Sequence, residues 1–350
     1  MTSRSPSPST KRMTTTMVST ITKVRPEPGT ARTRQGPAAF LTRYGVIVFL
    51  VLLFTIFALL MPRTFLTSGN LLAIVADQSI PIILALAAIL PLAAGEFDLS
   101  IAAVLGFSSI LSIALSNAGL PLPLVLAGTL ILGLLVGAVN AFFVVKIGIN
   151  AFIGTLAMAT ILAGLNLLLT RGSLMTLESE QFARLTSVPG SRIQIVIAYA
   201  LVLVLAVWYL LERTPFGRYL RATGMGRPAA RLSGVRTERY LTSSFVLAAL
   251  LASFAGFLLA SRSGSAPPTL GPEFLLPAYA AAFLGAATIR PGFFNVWGTV
   301  VGAFLLAVGS NGLTLMGAQT WVANVFNGVA LLAAVSASVI VARRGVNGRA

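Results

Sequence analysis

Residues 71–94 read LLAIVADQSIPIILALAAILPLAA, and Asp77 is the only charged residue among them. A helix needs about 20 consecutive apolar residues to cross the hydrocarbon core of a bilayer. Inside lipid, a helix also satisfies its own backbone hydrogen bonds, which an isolated strand does not. The stretch therefore predicts a membrane-spanning helix.

Similar apolar runs recur on both sides of this stretch. The chain has 350 residues, of which 56% are hydrophobic and 10% charged, and its mean hydropathy is +0.90. These values exclude a soluble globular domain and predict an all-α, polytopic integral membrane protein. The ten predicted spans are residues 44–62, 71–94, 99–116, 121–146, 150–170, 193–211, 240–261, 273–289, 296–315 and 320–342.

The spans fall into two related sets. A shift of 170 positions lays spans two to five over spans seven to ten, and places Gly128 and Thr129 on Gly298 and Thr299. An odd number of helices in each half inverts the second copy relative to the first, an arrangement common in transporters. We therefore expect about ten transmembrane helices in two inverted five-helix halves.

Basic residues are distributed unevenly between the two sides of these spans. With a cytoplasmic N-terminus, twenty of the 25 Lys and Arg residues lie inside and five outside. The positive-inside rule requires this asymmetry, so both termini are predicted to be cytoplasmic. Residues 1–43 form a basic tail rich in Ser, Thr and Pro and are predicted to be disordered. Residues 44–342 form the transmembrane domain, and residues 343–350 form a second tail.

A polar loop at residues 212–239 separates the two halves and carries seven arginines but only two acids. Within it, residues 226–235 read GRPAARLSGV. Pro228 suits the first turn of a helix, and Gly234 suits the position just past its end. The loop therefore predicts a short basic helix outside the lipid, a feature that a partner protein can bind.

The composition removes most covalent chemistry. The chain has no Cys and no His, so thiol nucleophiles, imidazole bases and the commonest metal ligands are absent. None of its three lysines follows a glycine, which rules out a Walker-type ATP-binding loop. We expect no catalytic residue, metal or cofactor in this chain. Its basic residues lie in tails and short loops, which topology explains better than binding to nucleic acid.

A transporter without an ATPase of its own uses a partner's ATPase or an ion gradient. Asp77, Glu96 and Asp98 leave the second route open, because gradient-driven transporters carry ionisable groups inside the membrane. However, Glu96 and Asp98 fall between two spans, where Asp98 and Ser100 are expected to cap the next helix. Asp77 lies about 9 Å below the outer boundary at about 1.5 Å per residue, which is shallow for a coupling site.

Several segments together resemble the permease subunit of bacterial ATP-binding-cassette (ABC) importers for sugars, the family of the ribose, xylose, arabinose and galactose systems. The resemblance covers residues 44–342 in order. It rests on FLTSGNLL at 65–72, GEFDLS at 95–100, Asn140, FIGTL at 152–156, Gly164, RTPFGR at 213–218, AARLSG at 229–234, Gly298 with Thr299 and Gly302, NGL at 311–313, and Gly328.

This resemblance implies specific partners and a specific location. ATP would be bound by a separate ABC ATPase subunit, and a periplasmic or lipid-anchored binding protein would deliver the sugar. A second permease copy, identical or related, would complete a dimer in the lipid of the cytoplasmic membrane. The external stretch at residues 172–192 is long enough for a helix and is our candidate contact for the binding protein.

The resemblance also assigns roles to residues of this chain. The loop helix would couple to the ATPase through Arg227, Pro228, Ala229, Ala230, Arg231, Leu232, Ser233 and Gly234. A gate or turn is expected at Gly95, Glu96, Asp98 and Ser100. The residues themselves predict a substrate path, because an amide buried in lipid without a partner is costly. The path is expected at Gln78, Asn140, Phe152, Thr155, Asn166 and Asn311, for which hydrogen bonding or packing between helices is the alternative.

Three other functions remain open from sequence. An ion-coupled secondary transporter would use the buried acids, and a related ABC permease would carry branched-chain amino acids. A membrane enzyme acting on lipid-linked sugars is the third, and the lack of His and of clustered acids disfavours it.

Overall fold

The computed structural model describes residues 37–186 and 194–347, which are mostly helical. Most of the predicted disordered tail, residues 1–36, lies outside the described residues. So do residues 187–193 of the predicted external segment and residues 348–350 of the C-terminal tail.

A helix occupies most of each predicted span, and short elements fill the connections. The elements are α1 (Pro37–Leu60), α2 (Ser68–Ala93), α3 (Ile101–Asn117), α4 (Leu122–Ala141), α5 (Ala151–Thr170), β1 (Met175–Thr176), α6 (Glu180–Ala183), α7 (Ile195–Trp208), α8 (Pro215–Met225), α9 (Arg227–Leu232), α10 (Thr237–Ser263), β2 (Ser265–Ala266), α11 (Pro272–Ala286), α12 (Val296–Leu315) and α13 (Thr320–Asn347). Helix α4 continues as a π-helix over Phe142–Ile147, and α7 continues as one over Tyr209–Arg213.

Polar residues ahead of the apolar runs set where several helices begin. The Thr67 hydroxyl accepts a hydrogen bond from a backbone amide of the first turn of α2. The side chains of Asn150 and Asn295 do the same for α5 and α12. Each satisfies a donor that the first helical turn leaves without a partner.

Length and composition allow six helices of the described part of the chain to cross a membrane. These are Ser68–Ala93, Leu122–Ile147, Ala151–Thr170, Ile195–Arg213, Thr237–Ser263 and Val296–Leu315. In α2 and in α10, 67% of the residues in the most apolar stretch are buried, so these two helices form the centre of the bundle. In α5 the buried share is only 17%, which places this helix at the rim. The prediction of an all-α, polytopic membrane protein is confirmed.

Contacts between connecting segments define two ends of the bundle. At the first, which we call the strand end, β1 pairs with β2 and the Asn117 side-chain amide donates to the Thr176 carbonyl at 2.8 Å. At the second, which we call the loop end, Lys146 pairs with Glu238 at 3.4 Å. These are opposite ends, because Glu238 lies in the first turn of α10, whereas β2 begins two residues after the last residue of α10.

Small residues allow the central helices to approach closely. A Cβ atom added at Gly133 would lie 2.7 Å from the Ser253 Cβ atom, and one at Gly137 would lie 2.7 Å from the Val246 Cα atom. Both neighbours belong to α10. The small-xxx-small pattern at these two glycines therefore packs α4 closely against α10.

The strand-end connection differs from the long external helix expected within residues 172–192. Its described part forms β1 and the single helical turn α6. The Phe182 ring on α6 is fully buried, 4.9 Å from the Phe257 ring of α10. Pairing of β1 with β2 and burial of Phe182 hold this segment against the bundle, which a free-standing helix would not achieve.

Candidate functional site

The predicted gate residues lie in a buried turn between α2 and α3. Asp98 and Ser100 are both fully buried there. One Asp98 carboxylate oxygen, Oδ1, accepts hydrogen bonds from the Ser100 backbone amide at 3.0 Å and from the Ser100 hydroxyl at 2.6 Å. Neither side chain caps an amide within α3, contrary to the sequence expectation. The two residues instead fix the shape of the turn that precedes the helix, which we call the Asp98 turn (residues 94–100).

Three other helices hold the Asp98 turn. The Tyr279 hydroxyl of α11 accepts from the Asp98 backbone amide at 3.0 Å and donates to the Asp98 carbonyl at 2.9 Å. The Asn140 side-chain amide of α4 donates to the Ser100 hydroxyl at 2.8 Å. The Thr155 hydroxyl of α5 accepts from the Leu99 amide at 3.0 Å. Thus α4, α5 and α11 meet at one buried polar cluster.

The Asp98 carboxyl occupies an unfavourable environment for a charge. Burial raises its pKa from 3.8 to about 6, because desolvation outweighs the two hydrogen bonds from Ser100. Its second oxygen, Oδ2, has no hydrogen-bond partner within the described residues. Ionisation of the Asp98 carboxyl therefore costs free energy in this buried cluster.

An apolar groove runs from the Asp98 turn toward the strand end. Its volume is about 320 Å³, and it lies between α3, α5 and the segment that leads into α11. Leu99 lines one part of it and Thr269 another. Asn166 also lines this α3–α5 groove, and its buried side-chain oxygen has no partner within the described residues.

The remaining predicted path residues lie apart from the cluster. Asn311 and Asn70 exchange side-chain hydrogen bonds at 3.1 and 3.2 Å, so Asn311 links α12 to α2. Phe152 lies in the first turn of α5 and is 51% exposed. Gln78 is half-buried on α2, and no hydrogen bond among the described residues joins it to the Asp98 turn.

The predicted short helix in the polar loop is present as α9. It ends at Leu232, and Gly234 follows with a positive φ of 81°. Leu232 is 91% exposed, and Pro228, Ala229 and Ser233 are exposed beside it.

The opposite side of α9 faces this chain rather than solvent. Ala230 is buried, so it is unavailable for the partner contact that the sequence suggested. The Arg231 side chain donates to the Thr237 hydroxyl at 2.9 Å and pairs with Glu238 at 3.5 Å. Arg227 pairs with Glu96 of the Asp98 turn. Ala230 and Arg227 thus hold α9 against this chain, and Arg231 pairs with Glu238 although its side chain is 58% exposed.

Comparisons with known proteins identify the kind of molecule that carries this site. The profile of the family described as "Branched-chain amino acid transport system / permease component" matches residues 70–335. The ribose import permease protein RbsC of Escherichia coli (strain K12) is 31% identical over 301 residues, which cover 85% of this chain and 94% of that protein. The chain belongs to this permease family.

Other relatives extend the comparison. The L-arabinose ABC transporter permease protein AraH of Azospirillum brasilense is 30% identical to the permease over 305 residues, covering 87% of this chain and 90% of that protein. The D-allose transport system permease protein AlsC of Escherichia coli (strain K12) is 26% identical over 300 residues, covering 85% and 92%. No solved structure matches the chain. Membership makes the permease a multi-pass inner-membrane transport subunit rather than an enzyme.

The family match spans the whole site. Residues 70–335 include the Asp98 turn, the α3–α5 groove and helix α9. They also include Tyr279, which sequence reasoning missed because a single tyrosine in an apolar span looks like packing. Its partner lies 181 positions away, so no local spacing connects the two residues.

Two ion-pair centres in the permease were also missed from sequence. Glu212, whose side chain is 10% exposed, pairs with Arg221 at 2.7 Å and with Arg290 in the connection between α11 and α12. At the strand end, Arg262 pairs with Asp77 and donates to a backbone carbonyl of α2 at 3.0 Å. The first centre ties the polar loop to the second half of the permease, and the second joins α2 to α10.

Proposed function

We propose that this permease moves a sugar, either a pentose, a hexose or a polyol, into the cell as the membrane subunit of an ABC importer. The relatives named for ribose, D-allose and L-arabinose support the substrate class. The observation that carries the mechanism is the Asp98 turn, because it contacts both the polar loop and the α3–α5 groove. A movement of the loop therefore has a direct route to the groove.

The α3–α5 groove is the proposed substrate path. Its lining is mostly apolar, and the buried Asn166 oxygen and Thr269 supply polar contacts along it. Because a binding protein would capture the sugar outside, the path itself does not need to bind the sugar tightly. Weak contacts suit transport, since a substrate held tightly at mid-membrane would leave slowly. Alternating access then consists of opening the groove first to one side and then to the other.

The proposed architecture has ten spans in two inverted halves. Adding 170 to the bounds of α3, Ile101–Asn117, gives 271–287, and α11 covers Pro272–Ala286. Helix α3 ends at Asn117, which contacts Thr176 at the strand end, whereas α11 follows β2 and ends shortly before Arg290, which pairs with Glu212 at the loop end. Equivalent helices that run in opposite directions support an inverted repeat.

ATP hydrolysis by a partner subunit is the proposed energy source. Two of the three acids that kept an ion gradient open are engaged in ion pairs, Asp77 with Arg262 and Glu96 with Arg227. The third, Asp98, is held by hydrogen bonds from Ser100. The ATPase would dock on the exposed face of α8 and α9, where Leu232 is 91% exposed. Exposed apolar side chains on a short helix suit recognition in a groove.

The remaining partners follow from the same scheme. The loop end carries most of the basic residues and would face the cytoplasm, with both termini on that side. A periplasmic or lipid-anchored binding protein would deliver sugar at the strand end. The weakly buried α5 leaves an apolar rim for lipid or a second permease copy, and ATP would bind the ATPase alone.

Import of branched-chain amino acids is the second candidate, because the matched family's description names that class. Reconstitution of the permease with its ATPase and binding protein distinguishes the two. The rate of ATP hydrolysis is measured with pentoses, hexoses, polyols, leucine, isoleucine and valine. We expect stimulation by a sugar or polyol and none by the amino acids. Stimulation only by an amino acid would contradict the proposed substrate class.

A further inference from the structure

The polar loop touches the Asp98 turn through the backbone. Gly95 lies in the turn with a positive φ of 82°, and Gly224 lies near the end of α8. A Cβ atom added at Gly224 would lie 3.0 Å from the Gly95 nitrogen and would overlap the Ala93 carbonyl oxygen. Because not even a methyl group fits between loop and turn at Gly224, neither segment can slide without displacing the other.

An ion pair joins the same two segments. The Arg227 guanidinium, at the start of α9, binds the Glu96 carboxylate of the Asp98 turn. The Glu96 side chain is 23% exposed and that of Arg227 is 38% exposed, so the pair is partly shielded from water. Such a pair interacts more strongly than one at a fully exposed surface.

The turn carries any displacement further into the bundle. Asp98 lies two residues after Glu96, and the Tyr279 hydroxyl of α11 forms hydrogen bonds with both its backbone amide and its backbone carbonyl. The next residue, Leu99, lines the α3–α5 groove and donates to Thr155 of α5. One short segment thus links α9 to two helices and to the groove.

We propose that Glu96 and Arg227 are positioning residues that transmit movement of α9 to the Asp98 turn and so couple ATP hydrolysis to opening of the groove. This inference rests on the ATP-driven import proposed above. Arg227 therefore serves the permease internally and is not a docking residue for the ATPase. The exposed face of α9 binds the partner, and the face with Arg227 passes the movement on.

Neutralisation of either charge tests the proposal in the intact importer. The complex of permease, ATPase and binding protein is prepared with Glu96→Gln or Arg227→Gln, and ATP hydrolysis is measured with and without substrate. We expect the ratio of stimulated to basal hydrolysis to fall about fivefold or more, the size of a typical allosteric coupling, while the ATPase still co-purifies.

Exchange of the two charges separates coupling from a general effect on folding. The double variant Glu96→Arg with Arg227→Glu restores an ion pair at the same place, and we expect it to recover most of the stimulation. The matched control is Lys146→Gln, which removes one ion pair of Glu238 at the same end of the bundle and leaves Glu238 paired with Arg231 of α9 and Glu96 paired with Arg227. Its stimulation ratio should match the unmodified complex.

These measurements separate failure of the positioning role from failure of the proposed function. If both single variants assemble and keep the unmodified ratio, or if the exchanged pair responds no better than the single variants, the positioning role is overturned and the proposed import stands. If the unmodified complex responds to no substrate, the proposed function is overturned and the coupling role with it.

Discussion

Replacement of Tyr279 by Phe tests whether the Asp98 turn depends on α11. The substitution removes one hydroxyl and leaves the ring, which stacks on Phe97 with ring centroids 5.9 Å apart. It also leaves the buried Asp98 amide and carbonyl without the partners they have at 3.0 and 2.9 Å. Each unsatisfied buried group costs about 1 to 3 kcal/mol, so the two together cost about 2 to 6 kcal/mol.

We expect a loss near the lower limit, about 2 to 3 kcal/mol, because the turn keeps its hydrogen bonds to Asn140 and Thr155. The assay is denaturant unfolding of the purified permease in mixed detergent micelles. The matched control is Tyr199→Phe, since the Tyr199 ring also packs against a phenylalanine, at 6.2 Å, but its hydroxyl makes no hydrogen bond within the described residues. Equal free energies of unfolding for the two variants would refute the role given to Tyr279.

Three further predictions follow from packing, exposure and charge. Gly106→Val should destabilise the permease by about 3 kcal/mol in the same assay, since any Cβ atom there overlaps the Leu270 carbonyl oxygen. Gly164→Val should leave the stability nearly unchanged, because no atom lies within 4 Å of a Cβ atom added there. Equal losses of unfolding free energy in the two variants would contradict this prediction. Leu232→Asp should abolish co-purification of the ATPase while the permease stays monodisperse in size-exclusion chromatography, and retained ATPase would contradict docking on α9. The folded-state pKa of Asp98, about 6, exceeds its ordinary 3.8, so the stability it contributes is complete below pH 3.8 and is lost as the pH rises to 6. Relative to Asp98→Asn, the unmodified permease should lose about 3 kcal/mol of unfolding free energy across that window, and parallel pH profiles would contradict this.

The helices could be predicted from sequence because the residues that specify each helix are neighbours in the chain. Apolar runs of sufficient length specify spans, and polar residues such as Asn150 specify where helices begin. The short helix α9 was equally accessible, since Pro228 and Gly234 act on their own neighbourhood. The π-helical ends of α4 and α7 were not predicted, because they give no such local signal.

The site was only partly predictable because its contacts join distant parts of the chain. Asp98, Ser100, Asn140 and Thr155 were each identified, but the hydrogen bonds that bring them together depend on how α4 and α5 pack. The orientation of α9 was likewise inaccessible, and Ala230 was assigned to a partner although this chain buries it. Long-range ion pairs such as Arg227 with Glu96 carry no pattern in the sequence.

Uptake of labelled sugar into proteoliposomes shows whether ATP hydrolysis drives sugar import through this permease. Vesicles containing the permease, its ATPase and its binding protein are supplied with ATP on the ATPase side, or with an imposed proton or sodium gradient and no ATP. We expect uptake of a sugar or polyol that requires ATP and persists when ionophores collapse the gradients. Uptake driven by a gradient without ATP, or ATP-driven uptake of leucine and of no sugar, would contradict it.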